Sequence, residues 1–252
     1  MARLLLTAWL LVPLMAMGVD RPLTVGYVDF PPYQFRNADG EPDGRFVELT
    51  RKVAREAGYE LEFLYLPTAR VYYYLETGAI DLWQGFSDNP AMGDKVLESD
   101  ARPLRVAYGV WYLSGTPEPG HFLDLYGKTL ITITGYNYAG LASYLSQTDI
   151  IRAINTNNHD SALDMLERGR GDYLLDYQEP VLNLLMEEPV RGIRFTPMWV
   201  RDAAWLFSTA AKQAPRWRRD FDQAWDRLVS RGEVLPVERA GQARRMEGLP
   251  LE

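Results

Sequence analysis

The sequence predicts an α/β protein of two lobes, each built on a parallel sheet and joined to the other by extended crossings. Strand-like and helix-like segments alternate across residues 23–83 and again across 129–175, an order that builds parallel sheets through right-handed crossovers. One motif recurs between the halves: Leu75-Glu76-Thr77-Gly78-Ala79-Ile80-Asp81 and Leu166-Glu167-Arg168-Gly169-Arg170-Gly171-Asp172 agree at Leu, Glu, Gly and Asp. Each copy ends a helix and launches a strand, so the halves repeat in position as well as in wording. Apolar extended segments at 106–113, 193–199 and 203–207 lie between and after the halves, where the chain has to cross between lobes.

Taken in order, residues 23–28 form a strand that runs into an aromatic, proline-rich loop, Phe30-Pro31-Pro32-Tyr33-Gln34-Phe35, and a turn at Asn37-Ala38-Asp39-Gly40. Gly44 opens a helix in which Phe46, Leu49, Val53, Ala54 and Ala57 recur at three and four, with Gly58 where a C-terminal glycine belongs. Residues 61–66 make the second strand. Thr68 caps a helix carrying Val71, Tyr74 and Leu75, Gly78 ends it, and 80–83 is a short buried strand. In the second half the strands are 129–134, 151–154 and 173–175, with a glycine turn at Gly135 and helices over 138–145 and 161–168. A last amphipathic helix, 215–231, has Pro215 in its first turn, Trp217, Phe221, Ala224, Trp225 and Leu228 on one face, and Gly232 at its end.

Asp81 and Asp172 read as turn carboxylates that bond backbone amides, and the tryptophans of the last helix as packing groups. Lobe 1 then begins with 19–108, lobe 2 takes 109–198, and 199–252 returns to lobe 1 with the C-terminal helix. Between two such lobes lies a cleft faced by the loops that follow the parallel strands.

Composition narrows the function. With 27 basic against 34 acidic residues and a net charge of -7, the basic face that nucleic acid requires has no support. The chain has no cysteine, which removes disulfides, thiolate nucleophiles and iron–sulfur clusters, and His121 and His159 alone offer little for an imidazole metal site. No metal and no cofactor is expected. A Gly-x-Gly-x-x-Gly motif, a Walker loop and a serine in a nucleophile elbow are all missing. Arg3, the apolar run 4–17 and the small residues Ala16 and Gly18 describe a secretory signal peptide over 1–18, cut near Gly18/Val19, with an uncleaved anchor as the alternative. The mature chain is thus expected in the periplasm.

The loop 30–35, the Asp39-Gly40 turn, Gly44-Arg45-Phe46-Val47-Glu48-Leu49, the two Leu-x-x-Gly-x-x-Asp copies, Tyr126-Gly127-Lys128-Thr129 and Pro215 stand in an order that resembles the periplasmic solute-binding proteins of family 3. The resemblance covers nearly the whole mature chain. It implies the type II two-lobed fold, capture of a small-molecule solute in the interlobe cleft, and delivery to the membrane component of an ABC transporter.

Carried over residue by residue, the resemblance places Phe30 as the aromatic that stacks on the ligand, with Tyr33 close by. Gly135, Tyr136 and Asn137 would offer amides and hydroxyls at a helix N-terminus, a natural anion site. Asp176 would accept a ligand ammonium, or else cap the helix 178–187. Ser87 and Asp88 would face the same cleft from lobe 1. The family's Thr-x-x-Arg segment after the third strand, whose arginine clamps an α-carboxylate, has no counterpart in 85–95, so Arg70 or Lys95 would have to replace it and simple amino acids are expected to bind weakly.

The aromatics Phe30, Tyr33, Tyr72, Trp83, Phe86, Tyr136 and Tyr138 suit a flat, cationic or aromatic solute. The resulting expectation is a non-enzymatic binding protein for a small polar solute, amino acid-like or amine-bearing. Its alternatives are a ligand-poor sensory or partner-docking module and a cyclohexadienyl dehydratase-like enzyme using Glu48, Asp88 or Asp176.

Overall fold

Apolar strands and two-faced helices fold the first half onto a parallel core. The computed structural model describes residues 21–89, 92–138, 140–237 and 245–250; the expected signal peptide and its cut at Gly18/Val19 lie outside the described residues. Strand β1 (Leu23–Tyr27) is buried at four of its five positions. A small hairpin, β2 (Phe35–Arg36) with β3 (Pro42–Asp43), follows it. The crossover helices are α1 (Arg45–Ala57), which leads to β4 (Leu61–Tyr65), and α2 (Thr68–Thr77), which leads to β5 (Leu82–Phe86). Both β4 and β5 pair with β1 in parallel, one on each side.

Two further strands, β6 (Val96–Glu98) and the longer β7 (Leu104–Leu113), carry the chain into the second half. There β8 (Thr129–Ile133), α3 (Leu141–Ser146), β9 (Arg152–Thr156), α4 (His159–Glu167), β10 (Tyr173–Tyr177) and α5 (Gln178–Glu187) repeat the pattern, with β8 paired in parallel to both β9 and β10. The repeated motif does the same work twice. Asp81 accepts the Thr24 amide at 2.9 Å and returns its own amide to Thr24 O at 2.9 Å; Asp172 accepts the Thr129 amide at 2.7 Å and returns its amide to Thr129 O at 2.9 Å.

The crossings are strands rather than linkers. The segments read as 193–199 and 203–207 form one 16-residue strand, β11 (Ile193–Ser208), antiparallel to β7 from Ile193 to Ala203. A single nine-stranded sheet results, ordered β4-β1-β5-β11-β7-β10-β8-β9 with β6 on β11. Register shifts between Pro197 and Trp199, where a residue without an amide proton cannot complete the ladder. Opposite it stands Gly109. A Cβ there would lie 2.2 Å from Thr196 O and 2.8 Å from Pro197 Cα.

Pairing with these long strands also moves element ends. β5 starts at Leu82 and reaches Phe86 because β11 pairs with it across Ala203 to Phe207. β10 continues through Asp176 to Tyr177 because β7 extends it. Tyr138 has φ 47, so α3 begins at Leu141 rather than at 138. Asn158 caps α4 through Ser161 N at 2.8 Å, which draws His159 into the helix. Helix α6 (Ala214–Ser230) buries Trp217, Phe221 and Trp225 as packing groups, with Phe221 against Trp205 and Phe207. Within the described tail, Glu247 O accepts the Phe122 amide at 2.9 Å. No helix among the described residues is long and apolar enough to cross a membrane.

Gly109→Ala should destabilise the protein by about 1–3 kcal/mol, because the new methyl meets fixed backbone. Gly115→Ala, which has nothing within 4 Å, should stay within about 0.5 kcal/mol. Urea unfolding of the two variants reads the contrast.

Candidate functional site

The aromatic loop after β1 is held by the start of α1. Arg45 N donates to Pro32 O at 3.0 Å and Phe46 N to Tyr33 O at 2.8 Å, so the first orphan amides of the helix take loop carbonyls as their partners. Gly44 makes the approach possible: its φ is 113 and a Cβ would sit 2.5 Å from Tyr33 O. Gln34, 4% exposed, ties the loop to the sheet by donating to Gln84 O at 2.8 Å. Phe30 and Tyr33 therefore stand on a fixed mount.

Rings from both halves meet there. The Phe30 centroid lies 4.8 Å from Tyr177, 5.4 Å from Tyr33 and 5.9 Å from Tyr136, and Phe86 stacks on Tyr177 at 5.7 Å and 10°. Tyr136 Oη donates across the seam to Asp29 O at 3.0 Å. Between these rings remains a cavity of about 40 Å³, room for a few waters. It extends toward Thr68, Tyr72, Trp83 and Gln84, and no charged side chain lines it among the described residues. Burial raises the pKa of Tyr33, Tyr136 and Tyr177, so the wall presents neutral phenols.

Several residues singled out in the sequence lie elsewhere. Of those expected at the site, Phe30, Tyr33, Tyr136 and Asn137 line the cavity. Gly135 is exposed in a separate groove with Thr134 and Asn155, and α3, six residues long, has Gly140 as its N-cap, so the expected anion site at a helix N-terminus is not formed. Arg70 is exposed and off the cavity wall. Lys95 pairs with Glu76 at 2.8 Å. Ser87 turns toward β11, its Oγ donating to Asp202 O at 3.0 Å. Asp88 is exposed, with its amide on Glu98 Oε1 at 2.8 Å. Tyr138 is fully buried off the wall, accepting Ile133 N at 2.9 Å.

Asp176 is the largest departure. It is fully buried inside β10, because the strand runs two residues past its expected end and places Tyr177 as the cap of α5. Its oxygens lie 2.8 and 3.0 Å from His159 Nδ1, so the carboxylate already has a partner and does not reach the cavity. Desolvation raises its pKa, and the hydrogen bond from His159 offsets part of that rise. His159 Nε2 in turn lies 3.3 Å from Tyr136 Oη, linking the pair to the seam.

Sequence reasoning passed over three groups. His159 falls outside the helix that the sequence predicts over 161–168. Arg201, 8% exposed, reaches back from β11 to the loop that lacks an arginine of its own, donating to Ser87 O at 2.5 Å and Asp88 O at 3.0 Å between the rings of Phe86 and Trp199. Gln84 anchors a buried chain in which Trp205 Nε1 donates to Thr50 Oγ1 at 2.8 Å and Thr50 Oγ1 lies 2.7 Å from Gln84 Oε1. Among the described residues no group of three or more His, Asp or Glu is placed to hold a metal ion.

A family model for bacterial extracellular solute-binding proteins, family 3, matches residues 23–238. Among solved structures, the chain is similar to a histidine kinase sensor domain with similarity to periplasmic binding proteins, at 22% identity and a TM-score of 0.71 over 84% of this chain and 92% of that one. An ancestral arginine-binding protein bound to arginine matches at 18% and 0.68, over 84% and 93%. The arginine-, lysine-, histidine-binding protein ArtJ from Geobacillus stearothermophilus matches at 17% and 0.66, over 84% and 91%. These likenesses establish the two-lobed fold. No curated protein sequence matches the chain.

The raised pKa of Asp176 means that the folded protein keeps this proton at a pH where the unfolded chain has lost it. The group therefore favours folding most at acid pH and costs stability as pH rises through its folded value. Asp176→Asn should accordingly gain in melting temperature relative to the unchanged protein as pH rises above about 4, the ordinary carboxylate value. Calorimetry across that range reads it, and a constant difference would contradict the assignment.

Proposed function

We propose, for a chain that belongs to the bacterial extracellular solute-binding proteins, family 3, that it captures a small solute between its lobes and presents the closed form to an ABC-type transporter. The observation that carries this reading is the seam in which Phe30 and Phe86 of the first half close on Tyr136 and Tyr177 of the second over a cavity. A solute that contacts both sides binds the closed state better than the open one, and only such a difference can drive closure. The arginine-binding neighbours support a solute of amino-acid size. Arg3 and the apolar run 4–17 support export with a cut near Gly18/Val19 and a periplasmic location. The lobes are taken to divide within β7 at 108/109 and within β11 at 198/199.

Capture rather than catalysis is supported by the positions of the candidate carboxyl groups. Glu48 is exposed and paired with Arg51 at 2.6 Å, Asp88 is exposed, and Asp176 is engaged by His159. A second reading, in which closure is read by a signalling partner, is favoured by the likeness to a sensor domain.

A thermal-unfolding screen of the purified protein against a broad panel of solutes tests capture. A ligand at about 100 times its dissociation constant adds about 2.7 kcal/mol, which should raise the melting temperature by roughly 5–11 °C for a chain of this size. A panel that moves it for no solute would contradict capture and favour the docking module.

A further inference from the structure

We propose that the solute this cleft takes up when its halves part is an uncharged, ring-bearing molecule with a hydrogen-bonding oxygen, and that Trp83 Nε1 donates to that oxygen; the proposal rests on solute capture by this cleft. Both residues line the cavity and both are deeply buried, at 4% and 1% exposure. Yet Trp83 Nε1 and Gln84 Nε2 have no hydrogen-bond partner. A buried N–H left without an acceptor is a costly arrangement that native structures rarely keep without a reason.

The two groups are held in place independently of any ligand. Gln84 is gripped by Thr50 at 2.7 Å and, through its own backbone carbonyl, by Gln34 at 2.8 Å. Turning its amide over would hand the N–H to Thr50 and leave Oε1 unpaired instead, so either orientation leaves one polar atom unpaired. The Trp83 indole packs edge-on against Tyr72 at 5.1 Å and folds over Gly85, where a Cβ would meet its ring at 2.6 Å. What the indole lacks is an acceptor oxygen, whereas the Gln84 side chain, one residue on in β5, turns to the other face of the sheet toward Thr50.

Charge decides the rest. Phe30, Tyr33, Tyr72, Phe86, Tyr136 and Tyr177 offer ring faces and edges to a flat molecule. Aromatic walls also attract cations, but this wall carries no carboxylate among the described residues, and the positive charge of Arg201 bears on Tyr72 and Tyr177. An ammonium brings only further donors to a site whose Trp83 N–H already lacks an acceptor. A carboxylate would be buried without a cation on the wall, since Arg201 donates to Ser87 O and Asp88 O instead, and an unpaired buried charge is strongly disfavoured.

Titration calorimetry of the purified full chain with ring-matched probes tests this: 4-ethylphenol, tyramine, 3-(4-hydroxyphenyl)propionate and L-tyrosine, with L-arginine beside them. The uncharged phenol should bind at least about 30-fold more tightly than any charged probe. Equal or tighter binding of a charged probe overturns the ligand class and leaves solute capture standing. Binding of none of the five overturns the ligand class as well, and the broad unfolding screen then decides capture separately. Trp83→Phe should weaken 4-ethylphenol about tenfold more than it weakens ethylbenzene, which has no oxygen. Equal losses for both would overturn the indole N–H as the donor.

Discussion

The antiparallel ladder between β7 and β11 is the constraint on which the other features depend. It runs from Leu113 against Ile193 to Leu104 against Ala203, and it joins two parallel units that sequence order alone would leave as separate sheets. Because the crossings are hydrogen-bonded into one sheet, the halves cannot drift apart as tethered domains do. The ladder is irregular at Pro197 to Trp199 opposite Gly109, where a bulge breaks pairing locally and bends the strand. Trp199 leaves that irregularity to contact Tyr108 at 6.2 Å, and Tyr108 contacts Tyr177 at 5.9 Å. The weak point of the sheet and the aromatic seam are thus in direct contact.

Local sequence signals specified the pieces well and their pairing partners poorly. The recurrent Leu-x-x-Gly-x-x-Asp motif identified both halves because Asp81 and Asp172 bond amides only a strand away in the same lobe. Strand ends were less legible, since β5 and β10 are lengthened by β11 and β7, partners distant in the chain. That extension carried Asp176 from an expected loop into the core. Phe30, Tyr33, Tyr136 and Asn137, which line the cavity, belong to the aromatic-proline loop and the turn after β8, segments that announce themselves locally. Arg201 was not: it serves Ser87 and Asp88 from more than a hundred residues away. His159 was hidden by its polar neighbours, although Asn158 two residues before Asp160 is an N-cap signal that would have placed it on a helix.

The cleft also separates two ways of handling charge. Its ionisable groups are satisfied outside the cavity: Asp176 by His159, Arg201 by backbone carbonyls, Lys95 by Glu76. What faces inward is ring surface and neutral polar atoms. Such a wall binds through apolar contact area and a few directed hydrogen bonds, and selects by leaving mismatched polar groups unpaired. The absence of a Thr-x-x-Arg arginine from 85–95 is in keeping with a wall that carries no charged side chain among the described residues.

Nuclear Overhauser effects between a bound solute and selectively labelled aromatic rings test the central claim most directly. Contacts from one solute to both Phe30 and Tyr177 would place it in the seam between the halves, as this account requires. Contacts confined to the rings of one half would contradict it.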